Sequence, residues 1–233
     1  MRVRRVVTTR AGGRSVGPFA RFNLSAGVGD DPVAVAANRR RLATELGLRG
    51  VVFLDQVHGT QVAVVDTVPR PGTPDRPGSD AAVTALPGVG VAVLTADCVP
   101  VLLADPRAGV VAAVHAGRPG MVAGVVPAAV AAMRSAGAAD LHAWVGPHVC
   151  GACYEVPEQM RADVATVVPE AFAETSWGTP SVDVGAGVVA QLRAAGVGVV
   201  GASRCTREDE NLFSYRRQGA ASGRMAGIVW VRS

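Results

Sequence analysis

The chain has 233 residues, of which 49% are hydrophobic, so it is long enough for one large domain or two small ones and is not a disordered chain. All of its basic residues are arginines, and the absence of lysine excludes Schiff-base catalysis, a Walker-type lysine and a lysine general base. The modest formal charge of +4 and the scattered arginines predict no nucleic-acid partner, while anionic small molecules such as phosphate remain plausible ligands.

In the N-terminal third of the chain, the sequence pattern predicts strands, one helix and polar loops. A helix is expected from Asp30-Asp31-Pro32, an acidic N-cap with proline at the first helical position, to about Leu46, where Gly47 follows. His58 lies in a short polar connection between two predicted strands, and the proline-rich residues 67–79 form a surface loop. The strands expected here are Arg2–Thr8, Val51–Leu54 and Val62–Asp66, and Asp80–Ala85 leads into the central part of the chain.

Three valine-rich runs in the middle of the chain predict buried strands. They are too short for ordinary helices and are separated by turn residues: Val89–Leu94, Val99–Ala104 and Val110–Val114. Asp97 and Cys98 follow the first run, and His115 ends the third. Polar residues at strand ends are well placed for chemistry, although a buried structural cysteine and a hydrogen-bonded core histidine are equally open readings.

The C-terminal half alternates helices and strands. The predicted helices are Met121–Ser135, Pro157–Val168 and Ser181–Ala195, the last with Asp183 near its start. The predicted strands are Leu141–Val145, Val197–Ala202 and Arg224–Val231. Because several strands of the chain follow one another without a helix between them, we expect an α/β fold with a mixed sheet.

The sequence predicts a cytoplasmic protein without a membrane segment. The basic residues at the N-terminus are not followed by the apolar core of a signal peptide, and no run of about 20 apolar residues occurs. In a cytoplasmic chain the four cysteines are expected to be free thiols or metal ligands rather than disulfides.

His58, Cys98 and His115 form the first candidate site. Two imidazoles and a thiolate with one open position make a recognised catalytic zinc set. Alternatively, Cys98 could act as a nucleophile with His115 as its base. The three residues are far apart in sequence, so spacing alone leaves both chemistries open.

The segment His148-Val-Cys150-Gly-Ala-Cys153 is a second candidate. A Cys-x-x-Cys pair can bind zinc or exchange disulfides, but a structural zinc site needs four ligands and only His148 offers a local third. We therefore expect a loop with two free thiols. The four histidines of the chain are also too few for a multicopper oxidase cluster, which needs roughly ten imidazoles.

Separated motifs along the whole chain resemble the laccase-domain family. The matching segments are Gln56-Val-His-Gly59, Thr95-Ala-Asp-Cys-Val-Pro-Val-Leu-Leu103, Ala113-Val-His-Ala-Gly117, Gly146-Pro147 with Tyr154-Glu-Val156, Phe213-Ser-Tyr-Arg-Arg217 and Gly223-Arg-Met225. Members of this family were first called multicopper polyphenol oxidases and are now assigned as zinc-dependent purine nucleoside phosphorylases. A role in peptidoglycan editing is also attached to them.

The resemblance implies an α/β sandwich in one domain, residues 1–233, with zinc held by His58, Cys98 and His115. It also implies Arg39 as the active-site arginine, with Cys98 and His115 as further catalytic residues. The expected reaction is phosphorolysis of adenosine, inosine or methylthioadenosine, with adenosine deamination as a side activity and any copper incidental. A peptidoglycan-precursor hydrolase using the same site and a non-catalytic metal-binding protein are the alternatives, and a monomer or weak dimer is left open.

One departure from the family pattern concerns the residues after His115. The family usually has Trp-Arg-Gly where this chain has Arg118-Pro119-Gly120. A residue before proline is disfavoured in the α region, so we expect an extended Arg118 before a helix that opens at Gly120 or Met121. Such an Arg118 could bind phosphate. Arg39 is the first candidate for holding phosphate through its bidentate guanidinium, and Arg216 or Arg217 is the second.

Overall fold

The computed structural model describes residues 2–200 and 204–232. The strands are β1 (Val3–Val7), β2 (Gly50–Val52), β3 (Val62–Val65), β4 (Ala81–Thr84), β5 (Val89–Thr95), β6 (Val99–Asp105), β7 (Val110–Ala116), β8 (His142–Val145), β9 (Phe172–Glu174), β10 (Pro180–Val182), β11 (Gly198–Val200) and β12 (Met225–Val231). The helices are α1 (Pro32–Glu45), α2 (Arg118–Ala123), α3 (Val125–Ser135), α4 (Glu158–Val167), α5 (Val184–Ala194) and α6 (Tyr215–Gln218). Short 3-10 turns span Gly17–Phe19 and Pro169–Ala171.

Two mixed sheets carry the fold. One has four strands in the order β1-β12-β5-β2, and the other has six in the order β11-β8-β6-β7-β4-β3, with β9 and β10 as a separate hairpin. The pairs β2–β5, β3–β4 and β8–β11 are parallel, and the remaining pairs are antiparallel. The expected single-domain α/β fold with mixed sheets is thus what the chain adopts.

The two sheets stack between two helical layers. Leu102, Ala113 and Val229 belong to an apolar core between the sheets. The outer face of the six-stranded sheet packs on α2–α5, and the outer face of the four-stranded sheet packs on α1. Strands β5, β6 and β7 are buried on both faces, which explains why their sequences are continuous apolar runs rather than alternating ones.

Most predicted elements are confirmed within a residue or two. Helix α1 begins as its sequence signal indicates, since the Asp31 side chain caps it by accepting a hydrogen bond from the Val33 N–H at 2.9 Å. The predicted strand Val197–Ala202 corresponds to β11, and its last two residues lie outside the described residues.

Two helix predictions were wrong in their extent. The region predicted as one helix, Met121–Ser135, lies within two helices, α2 and α3, because Gly124 has a left-handed φ of 93° and breaks the hydrogen-bond ladder. The helix predicted to start at Ser181 starts at Val184, with Asp183 as its N-cap. The preceding residues instead form β10, which pairs with β9, and neither strand was predicted.

None of the helices in residues 2–200 and 204–232 combines the length and the apolar content that crossing a bilayer requires.

Candidate metal centre and cavity

His58, Cys98 and His115 converge at one edge of the sandwich, as the metal hypothesis required. One ligand atom from each lies within 4.8 Å of the other two. His58 comes from the loop between β2 and β3, Cys98 from the turn between β5 and β6, and His115 from the end of β7. In the register of β6 and β7, Pro100 lies opposite His115. Because side chains two residues apart share a face, Cys98 lies on the same face of the hairpin as His115.

Asp80 organises both histidines. Its buried carboxylate accepts hydrogen bonds from the backbone N–H groups of Val57 (3.2 Å), His58 (2.9 Å) and Gly59 (2.7 Å). It also accepts one at 2.8 Å from Nδ1 of His115, which leaves Nε2 of that ring as the free nitrogen. A carboxylate behind a metal-ligating histidine fixes the ring and raises its basicity, so Asp80 is suited to support a metal ligand.

The space beside His58 exists only because residue 117 is glycine. A Cβ on Gly117 would stand 2.3 Å from Cδ2 of His58 and 3.2 Å from Sγ of Cys98. His58 itself has a φ of 60°, held by the bond of its backbone N–H to Asp80. Its Nε2 lies 3.7 Å from Sγ of Cys98. The two imidazole rings meet edge to face, with centroids 4.8 Å apart.

The thiol and the imidazoles shift each other's ionisation. Burial opposes ionisation of Cys98, but the adjacent His115 and His58 outweigh it and lower the pKa of the thiol to about 6. Burial disfavours the charged form of His115, yet the Cys98 thiolate and Asp80 prevail and raise the pKa of that imidazole to about 9. Each shift favours the ionised form of its group, the thiolate of Cys98 and the imidazolium of His115.

The residue types fit a divalent metal that accepts nitrogen and sulfur. A thiolate, two imidazoles, a supporting carboxylate and an open side toward the cavity match the ligand set of catalytic zinc sites. The same residues also suit nucleophilic catalysis by cysteine. Cys98 would be the nucleophile, His115, which contacts it, the base, and Asp80, which binds His115, the acid that orients the base. The same three side chains would serve either reaction.

These residues form part of the wall of a cavity of about 670 Å³, the size of an ordinary small-molecule site. Three arginines line it: Arg118, Arg216 and Arg224. Within the described part of the chain, the hydroxyl of Thr95 on the same wall is buried without a hydrogen-bond partner. The cavity therefore offers cationic groups to a polar, anionic ligand.

Arg216 and Arg224 are positioned by Asp97 and by nearby aromatic and carbonyl groups. The backbone N–H of Arg216 donates to Asp97 at 2.6 Å, and its guanidinium lies over the ring of Tyr154 at 4.4 Å. Arg224 donates to the Ser222 carbonyl at 2.6 Å. Burial lowers the pKa of Arg224, while Cys98, Asp97 and Tyr215 act in the opposite direction.

Arg39 and Arg217 have other partners. The guanidinium of Arg39 makes a two-pronged ion pair with Asp75 (2.6 and 2.9 Å) and stacks on Phe53. Asp75 faces the cavity, whereas Arg39 does not line it. Arg217 donates to four backbone carbonyls, those of Thr206, Arg207, Asp209 and Leu212. Its contacts organise a loop, and they give a phosphate-binding role no support.

Arg118 lines the cavity, but its predicted conformation was wrong. Helix α2 begins at Arg118 itself, and the extended residue is Gly117, with φ of −76° and ψ of 167°. The first helical turn closes through the Met121 N–H and the Gly117 carbonyl at 2.8 Å. Pro119 is compatible with this turn because the first helical N–H groups have no helical partner.

Sequence reasoning did not assign Asp80 or Arg224 to the site. Asp80 stands directly before the apolar run Ala81–Thr84, an unusual place for an acid, and this was the available signal. Arg224 lies inside a motif already noted, Gly223-Arg-Met225. The sequence does not indicate that Asp80 will contact His115 or that Arg224 will line the cavity, because both contacts depend on the tertiary structure.

A second group of potential metal ligands lies outside this centre. Cys150, Cys153, Cys205 and Glu208 each offer an atom within 4.8 Å of the others, and the cysteines are free thiols. Burial and the neighbouring thiols raise the pKa of Cys150 to about 12. His148, considered above as a third ligand, is not in this group, since its Nδ1 is 2.9 Å from the Gly146 carbonyl and its Nε2 packs against Gly185.

Comparison with known proteins gives a consistent result. A protein from Streptomyces griseus named purine nucleoside phosphorylase is 58% identical over 229 residues, 96% of this chain and 92% of its own. One of the same name from Mycobacterium tuberculosis is 51% identical over 236 residues, 99% of this chain and 93% of its own. The crystal structure of YlmD from Geobacillus stearothermophilus superposes with a TM-score of 0.89 at 33% identity, covering 99% of this chain and 92% of that one.

The family model described as multi-copper polyphenol oxidoreductase laccase matches residues 4–232. This span includes every ligand of the candidate metal centre and every cavity arginine. The chain belongs to the multi-copper polyphenol oxidoreductase laccase family.

Proposed function

We propose that this protein is a zinc-dependent purine nucleoside phosphorylase. The observation that carries the proposal is the convergence of His58, Cys98 and His115 on a cavity lined by three arginines. The names of relatives that are 50% to 58% identical over nearly the whole chain support the same reaction. Purine nucleosides and phosphate would be the substrates, and free base and ribose 1-phosphate the products.

His58, Cys98 and His115 would hold the zinc, with Asp80 fixing the ring of His115. When bound, zinc supplies a Lewis acid and lowers the pKa of a coordinated water toward 7. The open side of the ligand set faces the cavity, so the reacting end of the nucleoside would lie there. The thiolate of Cys98 is available near neutral pH, because His115 and His58 outweigh its burial and lower the pKa to about 6.

The cavity arginines would bind the phosphate. Guanidinium groups make bidentate hydrogen bonds to phosphate oxygens, and Arg118, Arg216 and Arg224 all reach the cavity wall. Asp97 holds the backbone of Arg216 in place. Positive charge close to a phosphate oxygen would align it for attack on the ribose carbon as the purine departs.

Arg39 would act through Asp75. Their ion pair fixes a carboxylate on the cavity wall, where it can accept hydrogen bonds from ribose hydroxyls. The active-site role that the resemblance implies for Arg39 would then be one of positioning. Asp55 offers a second carboxylate on the same wall.

Adenosine deamination would be a side reaction at the same centre, in which water is delivered to the purine C6. Copper, if it bound to this centre, would be incidental.

Hydrolysis of a peptidoglycan precursor at this site is a second candidate, favoured by the Cys98–His115–Asp80 arrangement, which would suit acyl transfer. Metal content and phosphate dependence separate these candidates.

The deciding experiment is a chromatographic assay of inosine and adenosine with and without phosphate. We expect base release that requires phosphate and yields ribose 1-phosphate, from protein containing zinc at His58, Cys98 and His115. Base release without phosphate would identify a hydrolase, and inosine formation from adenosine without base release would identify a deaminase. Protein without zinc, but with Cys98 modified readily by an alkylating agent, would favour the cysteine nucleophile.

A further inference from the structure

We propose that Cys150, Cys153, Cys205 and Glu208 form a second metal site, which binds a thiophilic divalent cation of the zinc class. It is separate from the candidate metal centre and shares no ligand with it. The proposal rests on the way in which two distant loops bring three thiols and a carboxylate together.

The ligand atoms lie close to the spacing that a tetrahedral ion needs. All four residues offer atoms within 4.8 Å of one another, and Sγ of Cys153 lies 3.5 Å from a carboxylate oxygen of Glu208. Zinc–sulfur and zinc–oxygen bonds of about 2.3 and 2.1 Å in a tetrahedron place sulfur and oxygen roughly 3.6 Å apart and two sulfurs roughly 3.8 Å apart. The distance between Cys153 and Glu208 already matches the first of these values, and no other pair of ligand atoms has to close by more than roughly 1 Å.

Backbone contacts preorganise the two loops. A tight turn carries the first two thiols, in which the N–H groups of Cys153 and Tyr154 donate to the Cys150 carbonyl at 2.9 and 3.0 Å. The Cys150 N–H points at Sγ of Cys205 at 3.4 Å, a usual partner for a thiolate. An isolated parallel bridge between His148 and Cys205 joins the loops beside the thiols.

The surroundings suit an anionic ligand set. Three thiolates and a carboxylate would leave a divalent ion with two excess negative charges. The side chain of Arg207 interacts with Cys153 and also lies over the ring of Trp177, at 4.8 Å from its centroid. Cys153 is buried, Cys150 and Cys205 are half-buried, and Glu208 is exposed, so the site is closed on the thiol side and the ion can enter past the carboxylate.

The site would fasten one wall of the catalytic cavity. Thr206, next to Cys205, donates its hydroxyl to Asp97 at 2.6 Å. Val149, next to Cys150, donates its backbone N–H to the Asp97 carbonyl at 3.0 Å. Asp97 precedes Cys98 and also holds Arg216, so a metal joining these loops would fix both a ligand of the candidate metal centre and a cavity arginine. Its role would be structural, with all four positions filled by protein.

Binding would convert the three thiols to thiolates and release three protons to the solvent. No oxidant takes part. A disulfide between two of the thiols is the competing outcome, but it would use only two of them and would leave the third thiol and Glu208 without a function.

The test uses the double variant His58→Ala/Cys98→Ser, in which the candidate metal centre has lost two ligands. The protein is purified with a reductant, stripped with a chelator and titrated with zinc(II) or cobalt(II). We expect about one ion per chain and, with cobalt, thiolate-to-metal charge-transfer absorption. Adding Cys150→Ser or Cys205→Ser should weaken binding roughly a hundredfold or more.

Glu208→Gln and Glu210→Gln form the matched pair for the carboxylate, because Glu210 is exposed on the same loop and outside the cluster. We expect weaker metal binding only for Glu208→Gln. Equal affinities in this pair would overturn the assignment of Glu208. The site as a whole would be overturned if the folded double variant bound no ion under reducing conditions, or if untreated protein had the mass of a disulfide.

Discussion

Asp80 shows how one buried carboxylate can set the geometry of two histidines. Its oxygens accept three backbone N–H groups around His58 and the Nδ1 proton of His115. The burial of Asp80 raises its pKa, but the bond to His115 and the backbone N–H groups outweigh this and lower the pKa overall. Asp80 therefore remains ionised, as a carboxylate behind a metal-ligating histidine must be.

Gly117→Ala should disable the candidate metal centre without unfolding the protein. The added methyl group would stand 2.3 Å from Cδ2 of His58, so the ring must move away from Cys98. We expect metal affinity to fall at least about tenfold, by comparison with the loss of groups that orient metal ligands. Competition titration with a chelating dye measures this.

Gly59→Ala is the matched control for Gly117→Ala. Its Cβ would make ordinary contacts, at 3.5 Å from Val57 and 3.6 Å from Asp80, and the backbone N–H that binds Asp80 would remain. Metal affinity should be retained in this variant. A Gly117→Ala protein with the affinity of the Gly59→Ala protein would contradict the steric argument.

Arg118→Ala tests the phosphate contact proposed for the residue that departs from the family pattern. A charge-assisted hydrogen bond of this kind contributes about 1.5–3 kcal/mol, so kcat/KM for phosphate should fall roughly 10- to 100-fold with zinc retained. Steady-state kinetics at varied phosphate measures the effect. Arg107→Ala, an exposed arginine in the β6–β7 turn, is the control, and equal phosphate dependence in the two variants would exclude the role.

At the scale of elements, Asp105 ties the β6–β7 turn to the start of β8. One carboxylate oxygen accepts the N–H groups of Arg107 (2.8 Å) and Ala108 (3.0 Å), and the other accepts those of Ala139 (2.8 Å) and Asp140 (2.9 Å). Burial of Asp105 raises its pKa, but these four N–H groups prevail and lower the pKa to about 2. The hairpin that carries His115 thus depends on an ionised carboxylate at its far end.

The depressed pKa of Asp105 makes this contribution pH-dependent. Because the folded-state pKa lies below the unfolded value, the stabilisation is present above pH ~4 and is lost as the pH falls toward 2. Asp105→Asn should therefore lower the free energy of unfolding at pH 7 by about 2 kcal/mol, and the difference from the unmodified protein should shrink in acid.

Urea unfolding at pH 7 and at a series of acidic pH values measures the effect of Asp105→Asn. Asp140→Asn is the control, because that side chain is exposed in the same region. Its free energy of unfolding should differ from that of the unmodified protein by at most about 0.5 kcal/mol. A destabilisation by Asp105→Asn that stayed constant from pH 7 to pH 2 would argue against the ionised carboxylate as its cause.

At the scale of the whole molecule, the packing of the two sheets holds the strand ends together. Gly227 of β12 has no Cβ, and one built there would stand 2.8 Å from Pro100 and 3.5 Å from Leu102 of β6. Strand β5 belongs to one sheet and β6 and β7 to the other, and the short turn between β5 and β6 joins the two sheets at the edge where Cys98 and His115 lie. The candidate metal centre is therefore a product of the stacked sheets.

Leu102→Ala should test how much the core between the sheets contributes to stability. The side chain is 2% exposed, and its removal should cost about 2–5 kcal/mol in the free energy of unfolding, because the surrounding strands cannot collapse into the space. Val64→Ala, on the edge strand β3 and 67% exposed, should change it by at most about 0.5 kcal/mol. Urea unfolding with unchanged m-values checks both, and similar losses in the two variants would contradict the assignment of this core.

The local sequence determined the elements well where its signals were strong. Valine-rich runs bounded by turn residues predicted β5, β6 and β7, and an Asp-Pro start predicted α1. It was weaker where a glycine or a strand partner decided the outcome, as at Gly124 and at β10. The reason is that a left-handed glycine or a pairing with β9 depends on neighbours outside the local window.

The sequence by itself also provided the residue types of the candidate metal centre. Its resemblance to the laccase-domain family indicated that His58, Cys98 and His115 hold one metal ion. Only the tertiary structure showed that His58, Cys98 and His115 meet, that Asp80 contacts both histidines, and that Arg39 is paired with Asp75 outside the cavity lining. It alone brought Cys205 to Cys150 across 55 residues. Side-chain chemistry is local and can be read residue by residue, whereas convergence depends on strand register and loop paths that distant parts of the chain determine together.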